Sequence, residues 1–224
     1  DKDGRTALLH ALYEEQKEVV LALLKKGADV SLTDKKGQTP LIYNVLYGSL
    51  EMNDVLIRYG VKVDEKDNQG RTALVYAIES GGFSHVYNLI ANGADINQTD
   101  ENNESVFMKA VRTNKVKTVK IMLKNGVDVN RQDQYGRTAL MVAAEKNLDY
   151  MTELLLRKGA DTYLEDKNGR DAWSYVCSNR SHRARAGKKK MQQEWQESRL
   201  LITRFGTFVM KKKRFSNGKQ NEGN

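Results

Sequence analysis

An active centre in this chain would have to be built from few side chains. There are three histidines (His10, His85 and His182), one cysteine (Cys177), and neighbouring carboxylates such as Glu14 and Glu15. A protein zinc site needs three or four ligands at short characteristic spacings, and the histidines fall in different parts of the chain with no such pattern. The paired glutamates read as solvated helix charges. Cys177 has no activating partner that the sequence identifies, so it reads as a structural thiol. Glycines such as the one in Gly37-Gln-Thr-Pro40 are turn punctuation, not a Walker-type phosphate cradle. The sequence therefore predicts no catalysis, no cofactor, no metal and no small-molecule substrate. What remains is recognition, and that depends on the elements that hold the recognising side chains.

Those elements repeat. Gly4, Gly37, Gly70, Asn103, Gly136 and Gly169 follow one another at a spacing of 33 residues, and Gly27, Gly60, Gly93, Gly126 and Gly159 keep the same step in a second register. A period of this size means stacked supersecondary units, none of which can bury its apolar face alone. Within each period a turn precedes an apolar helical stretch, a short break and a second apolar stretch. Leu8, Leu12, Val19, Val20, Leu23 and Leu24 recur at three- and four-residue intervals, as on one face of a helix. The second stretch closes on glycine with lysine in its last turn, a helix C-terminus signal. Thr6, Thr39, Thr72, Ser105 and Thr138 each precede an apolar run and suit an N-cap hydroxyl.

These residues give the chain its resemblance to the ankyrin repeat family. The openings are Gly4-Arg-Thr-Ala-Leu8, Gly37-Gln-Thr-Pro-Leu41, Gly70-Arg-Thr-Ala-Leu74 and Gly136-Arg-Thr-Ala-Leu140. The closings are Gly27-Ala-Asp-Val30, Gly93-Ala-Asp-Ile-Asn97, Gly126-Val-Asp-Val-Asn130 and Gly159-Ala-Asp161. The resemblance covers about residues 1–176 and implies an all-α solenoid of five full repeats plus a partial sixth. Antiparallel helix pairs would be joined by hairpins projecting at right angles. It also implies that partners dock on the concave face, formed by the hairpins and the exposed side of the first helices. Carried onto this chain, that face includes Arg5, Tyr13, Gln38, Leu46, Tyr47, Arg71, Arg112, Tyr135 and Arg137. Tyrosine and arginine are the side chains that most often anchor interfaces. Tyr13, Tyr135 and the pair Leu46-Tyr47, read as exposed and apolar, are the leading individual candidates.

Three positions depart from the pattern. Asn103 replaces a turn glycine, and asparagine tolerates left-handed backbone better than most residues. Asn44 stands where other units carry Ala11, Ala77, Ala110 and Ala143, so a buried amide there needs a local polar contact or marks a weak spot. Gly60-Val-Lys62-Val lacks the Ala-Asp pair found in three of the other closings, which puts that loop in question.

The net charge of +8 belongs to the end of the chain. Residues 177–224 hold 13 Lys/Arg against 3 Asp/Glu, while residues 1–176 hold 24 against 26, a balance of −2. The sequence thus divides into an array over 1–177 and a basic tail over 178–224. Basic runs lie at Lys188, Lys189 and Lys190 and at Lys211, Lys212, Lys213 and Arg214. A helix over 188–205, with Trp195, Ile202 and Phe205 on one face, would cap the last repeat. The same charge also fits a nuclear import signal, nucleic-acid or anionic-membrane contact, or a calmodulin-type helix, and the sequence leaves these open.

A single cysteine suits a reducing compartment, so the expected location is intracellular, cytoplasmic or nuclear. No apolar run approaches the length of a membrane span. The chain begins on a repeat boundary and reads as part of something longer. The expected function is a non-catalytic scaffold or adaptor that binds a protein or peptide. The alternatives are a nuclear or nucleic-acid-associated factor using the tail, and a regulatory ankyrin segment of a larger protein.

Overall fold

In the computed structural model, residues 1–180 are described. They form eleven helices: α1 (Ala7–Tyr13), α2 (Lys17–Lys25), α3 (Pro40–Tyr47), α4 (Leu50–Arg58), α5 (Ala73–Ser80), α6 (Phe83–Ala91), α7 (Val106–Arg112), α8 (Val116–Lys124), α9 (Ala139–Glu145), α10 (Asp149–Arg157) and α11 (Ala172–Arg180). Odd and even helices pair along the chain. The odd helices then pack on one another in order, α1 on α3, α3 on α5 and so on to α11. None of the described helices is long and apolar enough to cross a membrane. The basic tail and the expected helix over 188–205 lie outside the described residues.

The sequence accounts for the two layers. The odd helices carry apolar residues almost throughout, and six consecutive side chains are buried in each of α3, α5 and α9. They are the inner layer, and those from α3 to α9 are packed on both sides by other odd helices. Even helices bury only a stripe, such as Val20 and Leu24 in α2 or Met151 and Leu155 in α10, and show mostly polar or charged side chains on the rest. Each of the first five odd helices starts on the hydroxyl expected of it. Thr6, Thr39, Thr72, Ser105 and Thr138 accept from the backbone N–H three residues on.

The turn between the helices of a pair usually contains one left-handed residue. Asn114 (φ 54°), Asn147 (φ 53°) and Gly81 (φ 80°) fill that position, and Glu15 (φ 53°) fills it in the first unit. Glutamate has no local compensation for the left-handed crowding of its Cβ. Glu15→Gly should therefore stabilise the fold by about 0.5–1 kcal/mol, the strain relieved less the extra freedom of the unfolded chain. Urea denaturation measures it, and a stability equal to or below wild type refutes it.

The three departures resolve separately. Asn103 adopts φ 55° in its glycine column, as expected. Gly60 (φ 93°) closes its loop as the others do, with Val61 N–H donating to Leu56 O, so the lost Ala-Asp pair leaves the loop intact. Asn44 makes the local polar contact. Its Nδ2 donates to Ser49 O (2.9 Å) and to Asn53 Oδ1 (2.6 Å), and Asn53 Nδ2 lies 3.0 Å from His85 Nδ1. An amide nitrogen only donates, so the imidazole accepts there and is neutral at Nδ1. Burial pushes the His85 pKa below its ordinary value, in keeping with that role. Asn44 Oδ1 occupies the space beside Gly48, 1.9 Å from where a Cβ would stand. Glycine at 48 is thus tied to asparagine at 44.

Candidate functional site

Each hairpin tip is organised by an aspartate three residues before its turn position. Asp34, Asp67, Asp100, Asp133 and Asp166 each use Oδ1 to accept two backbone N–H groups, from the residues two and four positions on. The second carboxylate oxygen reaches the inner helix. Tyr43, Tyr76 and Tyr175 donate their hydroxyls to Asp34, Asp67 and Asp166, at 3.0, 2.7 and 2.8 Å. Lys109 takes the tyrosine's place in the fourth unit, with Nζ 2.8 Å from Asp100. Four of these five tips are therefore fixed to the inner helices by charge-assisted hydrogen bonds. In the fifth unit Val142 stands in the tyrosine column, and Asp133 turns its second oxygen to Arg137. The aspartates keep the same 33-residue step as the glycines, a signal available in the sequence but masked by the more conspicuous glycine beat.

These aspartates also hold the predicted arginines. Arg71 and Arg137 pair with Asp67 and Asp133 at 3.3 and 2.9 Å, and Arg170, a position the sequence reading passed over, pairs with Asp166 at 2.8 Å. Arg71 lies over the Tyr76 ring at 4.3 Å and Arg170 over Tyr175 at 4.6 Å. Arg137 lies over the exposed Tyr135 ring at 5.3 Å. In the fourth unit the polarity is exchanged: Glu104 replaces the arginine and receives Arg112 Nε at 2.9 Å. Burial pushes the Tyr76 hydroxyl up and the bond to Asp67 adds to it, to about 12.

Four of the nine predicted residues converge. Arg5, Tyr13, Gln38 and Tyr47 line a cleft of about 230 Å³ between the first two units, together with Asp3, Asp34, Lys35, Lys36 and Tyr43. Tyr13 and Tyr47 meet edge to face with centroids 4.9 Å apart, and Tyr43 lies 5.9 Å from Tyr47. Arg5 lies 4.9 Å over the Tyr13 ring, and its Nε bonds Asp1 at 2.7 Å. Gln38 Nε2 donates to Tyr76 OH at 3.0 Å, linking the cleft to Arg71. Tyr13 and Tyr47 remain 41% exposed despite these contacts, and Lys35 and Lys36 stand in solvent without an ion pair among the described residues. The cleft thus offers fixed aromatic surface with cationic groups at its rim.

The other candidates do not join it. Leu46 is not exposed as expected: it is partly buried and packs against the core, so only Tyr47 of that pair faces out. At the end of α3 the chain turns through Gly48 without a left-handed residue, and the helix face carrying position 46 stays on the stack. Arg112 is committed to Glu104 in the fourth unit, and Tyr135 with Arg137 forms a separate cation–aromatic pair in the fifth. The seven predicted basic tail residues, Lys188 to Lys190 and Lys211 to Arg214, and His182 lie outside the described residues. Among those described, no group of three or more His, Cys, Asp and Glu is placed to hold a metal.

Comparison with known proteins agrees with this architecture. Family models described as "Ankyrin repeats (3 copies)" match residues 23–100 and 81–166, and "Ankyrin repeat" matches residues 3–35. No curated protein is significantly similar to the chain. One similar solved chain comes from the structure titled "Bd0816 Predatory Endopeptidase from Bdellovibrio bacteriovorus in complex with immunity protein Bd3460". It is 28% identical with a TM-score of 0.70, over 78% of this chain and 92% of that one. Another, "Crystal Structure of EF0377 an Ankyrin Repeat Protein", is 24% identical with a TM-score of 0.71, over 77% and 91%. The matched segments run through most of the helix pairs and their aspartate-pinned tips, and the chain belongs to the ankyrin repeat family.

Proposed function

We propose that this chain is a non-catalytic scaffold or adaptor, working inside the cell, that binds a protein or peptide through the face made by its hairpin tips and inner helices. The observation that carries this reading is the cleft of the first two units, where Tyr13 and Tyr47 stand exposed yet fixed against Arg5 and Tyr43. Rigid aromatic anchors lose little side-chain entropy on contact, so their area converts efficiently into affinity. The other arginines of the face are likewise pre-oriented, Arg71 and Arg137 by their aspartates and Arg112 by Glu104. One of the similar solved chains comes from a protein–protein complex, which adds support for a protein partner.

The test is affinity capture of partners by the full chain, followed by titration of the recovered partner against variants. Tyr13→Ala with Tyr47→Ala should weaken binding by roughly 100-fold, the effect of losing two anchors worth about 1–2 kcal/mol each. Tyr163→Ala, at an exposed tyrosine of a helix-closing loop, should leave affinity unchanged. Equal affinity for all three proteins would reject the cleft as the anchor.

A further inference from the structure

A second surface lies on the outer layer, away from the cleft and independent of the reading just given. Helix α8 and its N-cap present Lys115, Lys117, Lys120 and Lys124, and neither α8 nor α6 beside it contains a carboxylate. Lys117, Lys120 and Lys124 are exposed and follow the i, i+3, i+7 spacing of one helix face. None of the four forms an ion pair among the described residues. Two acids of the flanking helices are engaged elsewhere. Asp54 on α4 accepts from Asn88 (2.8 Å) and Asn92 (3.3 Å), and Glu153 on α10 pairs with Arg157. Like charges at i, i+3 and i, i+4 repel along a helix, so the stripe carries a self-repulsion that an anionic partner would relieve.

Aromatic rings flank the stripe. Lys117 Nζ lies 6.0 Å from the Phe83 centroid and Lys120 Nζ 5.2 Å from that of Tyr150. Phe83 is half-buried, whereas Tyr87 and Tyr150 are 55% and 53% exposed. The ammonium groups of Lys117 and Lys120 thus lie over aromatic faces while remaining exposed to solvent. We infer that this face of α6, α8 and α10 is a docking surface for an acidic polypeptide segment, whose carboxylates meet Lys117, Lys120 and Lys124 while its stem packs on the exposed Tyr87 ring. Two features favour that occupant over other anions. Lys117 and Lys120 lie over the Phe83 and Tyr150 faces, which leaves Tyr87 as one open ring where a run of stacked bases would need several. No leucine, isoleucine, valine or methionine of the three helices is exposed to enter a lipid surface.

The test titrates the full chain with a fluorescent alternating glutamate–alanine peptide and maps the contact by lysine acylation read by mass spectrometry. Acylation of Lys117, Lys120 and Lys124 should slow about threefold or more relative to Lys25 and Lys26. The variant Lys117→Gln with Lys120→Gln and Lys124→Gln should bind about tenfold more weakly and with a shallower salt dependence. The footprint on the unmodified chain decides the matter even if that variant is poorly folded. Protection confined to the lysines of residues 181–224 would overturn the inference, as would unchanged affinity of the folded triple variant. Stronger protection of α8 by single-stranded RNA or by phosphatidylserine vesicles than by the peptide would assign the face to that anion and overturn it too.

Discussion

Asp67→Ala is expected to destabilise the array by about 3–4 kcal/mol, more than any exposed substitution, because it orphans several buried donors at once. The carboxylate side chain is only 2% exposed. Its Oδ1 accepts Gln69 N–H (2.9 Å) and Arg71 N–H (2.8 Å), and its Oδ2 accepts Tyr76 OH and faces the Arg71 guanidinium. Each buried donor left unpaired costs about 1–3 kcal/mol, and water reaching the half-exposed Arg71 offsets part of that. Asp67→Asn keeps an oxygen for the two amides and should lose roughly half as much. Equilibrium urea unfolding measures both. A loss under about 1 kcal/mol for Asp67→Ala would mean that the tip is held by its turn and stacking alone, without the carboxylate.

The same residue gives the fold a defined sensitivity to acid. Burial alone would raise the Asp67 pKa, but the hydrogen bonds from Tyr76 and the amides of Arg71 and Gln69, with the Arg71 charge, outweigh it and hold the carboxyl below its usual value. A group depressed in the folded state contributes stability that is fully present above the unfolded pKa of about 4 and is lost as pH falls through the lower folded value. Asp67→Asn should therefore show a flatter stability curve below about pH 4 than the wild type. Asp100 is depressed in the same direction: burial opposes ionisation there, and the Lys109 hydrogen bond and charge overcome it. The acid limb should thus flatten in the variant without disappearing.

The fold was legible because each period repeats its punctuation. Cap hydroxyls, closing glycines and apolar spacing all point to the same helices, and the structure puts them there. The cleft was half legible. Arg5, Tyr13, Gln38 and Tyr47 follow from position within the repeat, but their convergence depends on Tyr43, whose hydroxyl is drawn to Asp34 and whose ring lies by Tyr47. Leu46 was misread because the hydropathy of a pair does not say which member a helix turns inward. The Asn44–Asn53–His85 chain was partly visible as one anomalous asparagine. Its partners sit 9 and 41 residues on from Asn44 and come together only when the second and third units stack.

Phe107→Ala should have the other large effect, about 3–5 kcal/mol, and should also change how the array unfolds. Phe107 is 1% exposed and is the largest of the fully buried side chains among the described residues, in the column that holds Leu8, Leu41, Leu74 and Leu140 in other units. It lies beside the weakest seam of the tip ladder. Backbone bonds join successive tips at Lys35 N to Asp3 O, Asn68 N to Lys36 O, Gln134 N to Asn102 O and Lys167 N to Tyr135 O. No corresponding bond links the third and fourth tips among the described residues. The seam is open there: a Cβ at Gly70 would meet nothing within 4 Å, whereas one at Gly37 would come within 2.8 Å of Asn68 N. In a stacked array stability is the sum of unit and neighbour terms, so cooperativity fails first where a neighbour term is smallest. Removing the Phe107 ring cuts into the packing of α7, which bridges α5 and α9. The fourth to sixth units should then unfold ahead of the first three. Both tryptophans, Trp173 and Trp195, lie in the C-terminal part of the chain, so in the variant the fluorescence transition in urea should precede the loss of helical circular dichroism, whereas the two coincide in the wild type. Coincident transitions in Phe107→Ala would show that the seam couples the two halves as tightly as every other interface in the stack.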